Sequence, residues 1–278
     1  FDPSSDQWSS TGSMGTERIE HTATLLKDGK VLVAGGLAGR RNLNSSEIYD
    51  PSTGQWLPAS KMDERRQSHK AALLQDGTVL VSGKSSSEIY DPSTDSWSLT
   101  GEMVPGKDRY GEGRLGGATL TVLQDGRALL AAGAVTAGEY EESLRDIKQA
   151  EIYDPSTGLW SAASALLEAR KFHTATLMPD GKVLLIGDKT AELYDPKANT
   201  WTSAGTLNLP RVEWHTATLL PNGTVLVVGG KASTSTTKNR SDTSTSDKAR
   251  DIEGMTAVEI YDPATGWQLL DKTATASD

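Results

Sequence analysis

The sequence predicts an all-β repeat protein assembled from small four-stranded antiparallel units. The first observation is a recurring dozen residues. SSEIYDPSTGQW begins at Ser45, SSEIYDPSTDSW at Ser86, AEIYDPSTGLW at Ala150, AELYDPKANTW at Ala191 and VEIYDPATGW at Val258, and the chain opens on FDPSSDQW. The second is a block that precedes each full copy: HTATLLKDGKVLVAGG at His21, HKAALLQDGTVLVSG at His69, ATLTVLQDGRALLAAG at Ala118, HTATLMPDGKVLLIG at His173 and HTATLLPNGTVLVVGG at His215. The third is the period. The glycines of the DG or NG pairs (Gly29, Gly77, Gly126, Gly181 and Gly223) stand 48, 49, 55 and 42 residues apart, a range that marks a repeat array.

Each unit reads as four strands. Strand A is the HTATLL segment and strand B is VLVAGG. Between them a two-residue Asp-Gly or Asn-Gly turn supplies the positive φ that a tight hairpin needs. Strand C is SEIY, ended by Pro51 and its equivalents, which cannot donate to a ladder. The fifth residue of the following turn is Gly54, Asp95, Gly158, Asn199 or Gly266, and Asp6 in the leading copy. These are the residue types that best tolerate a left-handed backbone, so that conformation is expected in every copy. Strand D opens on tryptophan. Tyr49, Tyr90, Tyr153, Tyr194 and Tyr261 fill one packing slot, and Trp8, Trp56, Trp97, Trp160 and Trp201 another. The paired glycines ending strand B (Gly35–Gly36, Gly229–Gly230) leave room for a large ring from a neighbour.

A Gly-Gly closing strand B, a Tyr in strand C and a Trp opening strand D, repeated at roughly fifty residues, resemble the kelch repeat. The likeness is to its bacterial form, also found in the propeller of galactose-oxidase-like proteins. The resemblance covers nearly the whole chain and implies a β-propeller of four-stranded blades around a central channel. Five full repeats plus an N-terminal partial repeat are counted. They form a single domain over 1–278, with a closing strand at 1–14 and blades near 15–62, 63–103, 104–166, 167–207 and 208–272. In the last unit Trp267 comes one residue early. This suggests that its strand D is given up to the strand around Trp8, which would sew a five-bladed ring shut. The alternative is a ring of six or seven blades whose remainder lies outside this sequence.

Net charge is −9 over 278 residues, which argues against nucleic acid or an anionic membrane as partner. No apolar run reaches the length of a membrane span. Residue 1 already stands inside a repeat, so the chain reads as a trimmed or partial one, which leaves room for a lost signal segment, and an extracytoplasmic or secreted location is suspected. Cysteine is absent. This removes disulfides, thiolate metal sites and cysteine nucleophiles. It also removes the thioether-linked tyrosine of the galactose-oxidase copper site, so that activity does not carry over with the resemblance. No GxSxG elbow, HExxH pair or phosphate loop is present. No cofactor and no metal site are read.

Antiparallel connectivity places the A–B and C–D turns on one face, where all are short and alike. The B–C and D–A connections share the other face and vary. The B–C loops run over 37–45, 84–86, 134–149, 188–190 and 231–256, and the D–A connection before repeat 3 is enlarged over 104–117. Elaborated loops on a regular scaffold are where a site is expected. His21, His69, His173 and His215 occupy one slot and are read as packing and hydrogen bonding at the start of their own strand A. Arg18, Arg66, Arg170 and Arg211 are read as partners of the Glu that begins strand C (Glu47, Glu88, Glu151, Glu192 and Glu259).

Residues that break the repeat are the better site candidates. They are Arg40 and Arg41 in the first B–C loop, Arg109, Tyr110 and Arg114 in the 104–117 insertion, and Glu139 and Tyr140 in the third B–C loop. Trp214 joins them, standing where other repeats carry Glu20, Ser68, Gly117 and Phe172. An off-pattern Trp near the channel mouth suits stacking on a flat ligand. His173 and His215 complete the ligand-binding set, and no catalytic residue is assigned. The reading is a noncatalytic, monomeric propeller that binds a protein or glycan through the variable face. The alternatives are an enzyme at the channel mouth, or a propeller module of a larger secreted protein.

Overall fold

A computed structural model of the chain describes residues 1–83, 86–103, 116–136, 144–211, 214–231 and 257–271. Among these residues every regular element is a strand. In blade 1, strands A to D are Thr22–Leu25, Val31–Ala34, Ser46–Asp50 and Gln55–Ala59. Blade 2 uses Lys70–Leu73, Val79–Gly83, Ser86–Asp91 and Ser96–Leu99. Blade 3 uses Thr119–Val122, Ala128–Ala131, Ala150–Asp154 and Leu159–Ala163. Blade 5 uses His215–Leu219, Val225–Gly229, Val258–Asp262 and Gly266–Asp271. In blade 4 strand A is Thr174–Leu177. The B–C connection there is so short that B and C run as one element, Val183–Asp195, followed by a long strand D, Thr200–Arg211. The sheets pair antiparallel in the order A-B-C-D, the architecture of a kelch propeller blade.

The core lies between sheets rather than within one. Strand B reads as an unbroken apolar run because both of its faces are covered. In blade 4, Val183 and Leu185 pack towards blade 3 with Tyr194 and Trp201, while Leu184 and Ile186 pack towards blade 5 with Val225, Val227 and Tyr261. Strands A of successive blades are neighbours from blade 1 to blade 5. The outward faces of the first and last sheets are less covered, and Leu25, Leu219 and Val228 are exposed there.

The Tyr and Trp slots meet as cross-strand pairs, Tyr49↔Trp56 and its equivalents. The rings are tilted, with centroids 4.9 to 5.3 Å apart in all five blades, a favourable aromatic geometry. Each Trp Nε1 then donates backwards along the array. Trp97 reaches Ser60 O at 2.9 Å, Trp160 reaches Ser87 Oγ at 2.7 Å, Trp201 reaches Ser164 O at 2.8 Å and Trp267 reaches Ala204 O at 2.8 Å. Trp56 donates to Gly12 O at 2.9 Å. Gly12 follows Trp8 by the four residues that separate Ser60 from Trp56.

Three sequence expectations are corrected. The A–B turns have three residues, not two. Leu26 N donates to Lys30 O and Gly29 N to Leu26 O, a type I turn closed by a glycine bulge. Only the glycine has positive φ (85° at Gly29), and Asp28 accepts from Lys30 N instead of turning left-handed. Second, Trp267 is not out of register. Tyr261 pairs with it and Asp262 pairs with Gly266, whereas Asp50 pairs with Gln55. The missing residue is taken out of the turn, and the aromatic pair keeps its place. Third, the last blade therefore supplies its own strand D, and the segment around Trp8 does not replace it. Residues 11–16 lie against blade 1 through Gly12 N to Gly54 O, Gly15 N to Glu47 Oε2 and Thr11 to Tyr49. Trp8 is 83% exposed beside Phe1. The left-handed fifth turn residue occurs in every copy, with φ of 54° at Asp6, 69° at Gly54, 47° at Asp95, 71° at Gly158, 51° at Asn199 and 84° at Gly266.

Truncating a buried motif ring removes both the pair and its backward hydrogen bond. Trp160→Ala is expected to lose about 3–5 kcal/mol in chemical denaturation. Trp8→Ala, at an exposed position, should change stability by less than about 0.5 kcal/mol.

Candidate functional site

The variable face is built on buried charge. The Glu that opens strand C accepts the Arg of the D–A connection leading into its own blade. Arg18 Nη2 meets Glu47 Oε1 at 2.6 Å, Arg66 meets Glu88 at 2.9 Å and Arg211 meets Glu259 at 3.2 Å, and Arg170 pairs with Glu192. These side chains are almost fully buried. The guanidinium also donates to carbonyls where strand B ends and strand C begins: Gly83 O and Ser86 O at 2.9 Å for Arg66, Gly187 O at 3.0 Å and Thr190 O at 2.9 Å for Arg170. The carboxylate collects two backbone N–H groups of the connection, Asp63 N and Glu64 N on Glu88, Leu167 N and Glu168 N on Glu192. Most lone pairs and protons of the pair have a use, although Nε of Arg18 and of Arg170 is buried without a partner, and such satisfaction is the condition under which a buried ion pair is tolerated. The arginine slot is thus structural. Arg114, one of the candidates, lies outside the described residues, as do Arg109, Tyr110, Glu139 and Tyr140.

The histidine slot is structural in a way that the sequence does not reveal. The rings of His69, His173 and His215 reach the preceding blade rather than staying within their own. His69 Nε2 bonds Thr22 Oγ1 at 2.9 Å, His173 Nε2 bonds Thr119 Oγ1 at 2.9 Å, and His215 Nε2 lies 3.3 Å from Thr174 Oγ1 and 3.1 Å from Ile186 O. A carbonyl only accepts, so His215 carries its proton on Nε2. The Nδ1 atoms of the histidines are buried without a partner. The paired glycines make room for this tie. A Cβ on Gly35 would stand 2.8 Å from His69 Cε1. Burial holds the imidazoles neutral, pushing His69 down to about 4 and His173 down to about 3. Burial also lowers His215.

The residue before each histidine slot has positive φ in all five blades: 55° at Glu20, 51° at Ser68, 69° at Gly117, 54° at Phe172 and 60° at Trp214. For a bulky side chain this is a strained backbone. The conformation turns N–H groups along the rim. Ser68 N donates to Glu20 O at 3.0 Å and Phe172 N to Gly117 O at 2.9 Å. It also leaves the Phe172 and Trp214 rings exposed at the channel mouth, with Trp214 70% accessible. Lys231 Nζ lies 3.4 Å from the Trp214 ring centroid, a cation–π contact.

Beside this rim strands A of blades 2 to 5 line an open cavity of about 370 Å³, bordered by Lys70, Thr119, Phe172, His173, Trp214 and His215 among others. Of the sequence candidates, Trp214, His173 and His215 are brought together here. Arg40 and Arg41 stand apart, exposed on a two-residue hairpin, Leu37–Ala38 with Arg41–Asn42, that forms the first B–C loop. Lys70 was not singled out by sequence. The signal that could have found it is the substitution of Lys for Thr in the slot after the histidine. Among the described residues no group of three or more His, Asp or Glu converges as a metal site, and no helix is long and apolar enough to cross a membrane.

The opposite face is not featureless. Grooves of about 480, 280 and 430 Å³ lie between successive A–B and C–D turns. They recur because the turns recur, and the first is walled by Asp28, Asp76 and Asp91.

The family model for the kelch motif matches residues 21–63, which run from the histidine of blade 1 to the connection into blade 2. The matched segment is one kelch motif, and the same sequence pattern recurs in the other blades. Kelch repeats are commonly protein-interaction modules. No curated protein matches the chain.

Neutral buried histidines give this blade array a defined acid sensitivity. The unfolded chain binds protons at the ordinary histidine value near 6.5, whereas the folded chain refuses them until about 4 at His69 and about 3 at His173. Stability is therefore full above about 6.5 and falls as pH drops from there towards 4, by about 1.4 kcal/mol per pH unit for each histidine. Denaturation of wild type and His69→Asn across this window should show a shallower slope in the variant. Parallel slopes would contradict the assignment. At the ion pair, Glu88→Ala leaves buried Arg66 with only the part-exposed Glu64 carboxylate at 3.5 Å and should destabilise by about 3 kcal/mol, read as a lowered denaturant midpoint.

Proposed function

We propose that the chain is a noncatalytic interaction module that engages a protein partner through the face carrying the B–C and D–A connections. The carrying observation is the contrast between faces. The A–B turns repeat one geometry, whereas the other face carries the connections that differ in length and the exposed groups that break the pattern. Ile19, Phe172 and Trp214 present apolar surface, and Arg40 and Arg41 add positive charge on the first B–C hairpin of the same face. Aromatic and arginine side chains are the groups that anchor protein interfaces most often. The ionisable residues fixed by the repeat are already committed within and between blades, which supports binding over catalysis. An enzyme at this mouth would draw on His173 or His215, whose Nε2 atoms are bonded to Thr119, Thr174 and Ile186.

The reading is tested by partner capture with the purified chain and surface variants. Trp214→Ala and the double variant Arg40→Glu, Arg41→Glu should weaken capture by at least about tenfold, roughly 1.4 kcal/mol. Lys27→Glu on the opposite face should leave it unchanged. Loss of capture through Lys27 alone would overturn the face assignment. Binding to a glycan array that disappears in Trp214→Ala would move the partner class from protein to glycan.

A further inference from the structure

The Thr–His tie between neighbouring strands A is missing at one junction, and both of its partners change together. Thr22, Thr119 and Thr174 each meet the histidine that opens the next blade. Between blades 2 and 3 the threonine position holds Lys70 and the histidine position holds Ala118. The four-carbon stem of Lys70 thus runs where an imidazole stands at the other junctions, past a methyl group that does not obstruct it. Lys70 lines the channel cavity. Its charge acts on His173, two blades further round, and adds to burial and to Arg170 in holding that ring neutral. Burial lowers the pKa of Lys70. Its ammonium has no ion-pair or hydrogen-bond partner among the described residues. A desolvated cation with no counterion among its described neighbours is unfavourable, and here it is the one charged group among the described lining residues in a chain of net charge −9.

We propose that this cavity binds a small organic carboxylate, its anionic group on Lys70 and its flat apolar body against the Phe172 and Trp214 rings. The volume of about 370 Å³ falls within the range of small-molecule sites, which are mostly apolar with a few placed polar groups. The histidine tautomer supplies further donors. With the proton on Nε2 of His173, Thr119 Oγ1 accepts from the ring and keeps its own O–H for an anion. A single ammonium with neutral hydroxyls matches a singly charged group. Phosphate would call for more charge or an arginine fork. The site shares the Phe172 and Trp214 rings with the proposed interaction face and is distinguished from it by Lys70.

Titration calorimetry on the full chain tests it with indole-3-carboxylate and benzoate as probes, benzamide as the neutral isostere and inorganic phosphate as the competing anion. The aromatic carboxylates should bind saturably below about 10 mM, at least about tenfold more weakly in Lys70→Met, and within about threefold of wild type in Lys70→Arg. Benzamide and phosphate should bind more weakly than either probe. The double variant Lys70→Thr, Ala118→His rebuilds the tie used at the other junctions. It should keep the fold and lose binding, which guards against a single variant that fails to fold. No saturable binding of either carboxylate, equal affinity in wild type and a folded Lys70→Met, or a preference for phosphate would each overturn the proposal. Partner capture measured on the same variants should be unchanged, so failure of this site is distinguishable from failure of the interaction face.

Discussion

The carboxylate at the start of strand C organises more of this protein than its size suggests. Glu47, Glu88, Glu192 and Glu259 each sit inside the blade, take one arginine and hold two backbone N–H groups of the incoming connection. The chain crossing from one blade to the next pairs only at scattered points such as Leu43↔Arg66, Ile147↔Arg170 and Asp188↔Arg211, and its other donors would be orphaned where it dives under the rim. The glutamate supplies acceptors at that point. The arginine then neutralises the charge and sews the ends of strands B and C to the same spot. A lysine would not serve, because the pairing and the two carbonyl contacts use the fixed fork of a guanidinium. With the connection held in this way, strand A is delivered beside its predecessor and the channel wall follows.

The parts of this arrangement that repeat were legible in the sequence. Tyr and Trp recur at fixed distance because they must meet across strands C and D. Residues tolerant of a left-handed backbone recur at the fifth turn position because the turn demands one. The pairing of the Arg and Glu slots followed from their shared face. What the sequence concealed is what depends on a neighbour or on a choice between similar turns. An Asp-Gly pair suits a two-residue turn or a three-residue turn with a bulge, and the registers differ only once the strands are paired. Trp267 looks displaced because counting residues assigns the deletion to strand D, whereas the aromatic contact keeps its register and the turn gives way. The reach of His69 to Thr22 is invisible within a single repeat. So is the joint replacement at Lys70 and Ala118, which has meaning only when two blades lie side by side.

The channel mouth shows how a regular scaffold makes room for individuality. The position before the histidine is left-handed in all five blades, so its backbone role is common property. Its side chain is not needed for that role and points out of the core at Phe172 and Trp214. Glycine would adopt this backbone with less strain, and it does so only at Gly117. The other blades carry Glu, Ser, Phe and Trp at the same place, each projected from an identical mount. A rim of this kind sets chemistry by choice of residue while strands, turns and ion pairs beneath it stay the same.

The backward hydrogen bond of each strand D tryptophan has a consequence for how such a chain can change over evolutionary time. Trp97, Trp201 and Trp267 each bind a backbone carbonyl of the sheet before them. A carbonyl is present whatever the residue that bears it. The docking rule between sheets is therefore written almost wholly on the incoming unit, with little asked of the receiving one. A duplicated gene segment encoding one unit would carry its own adhesive and find a receptive surface on arrival. Recombination can lengthen or shorten such an array without a matched mutation elsewhere, and the novelty is then free to accumulate in the loops.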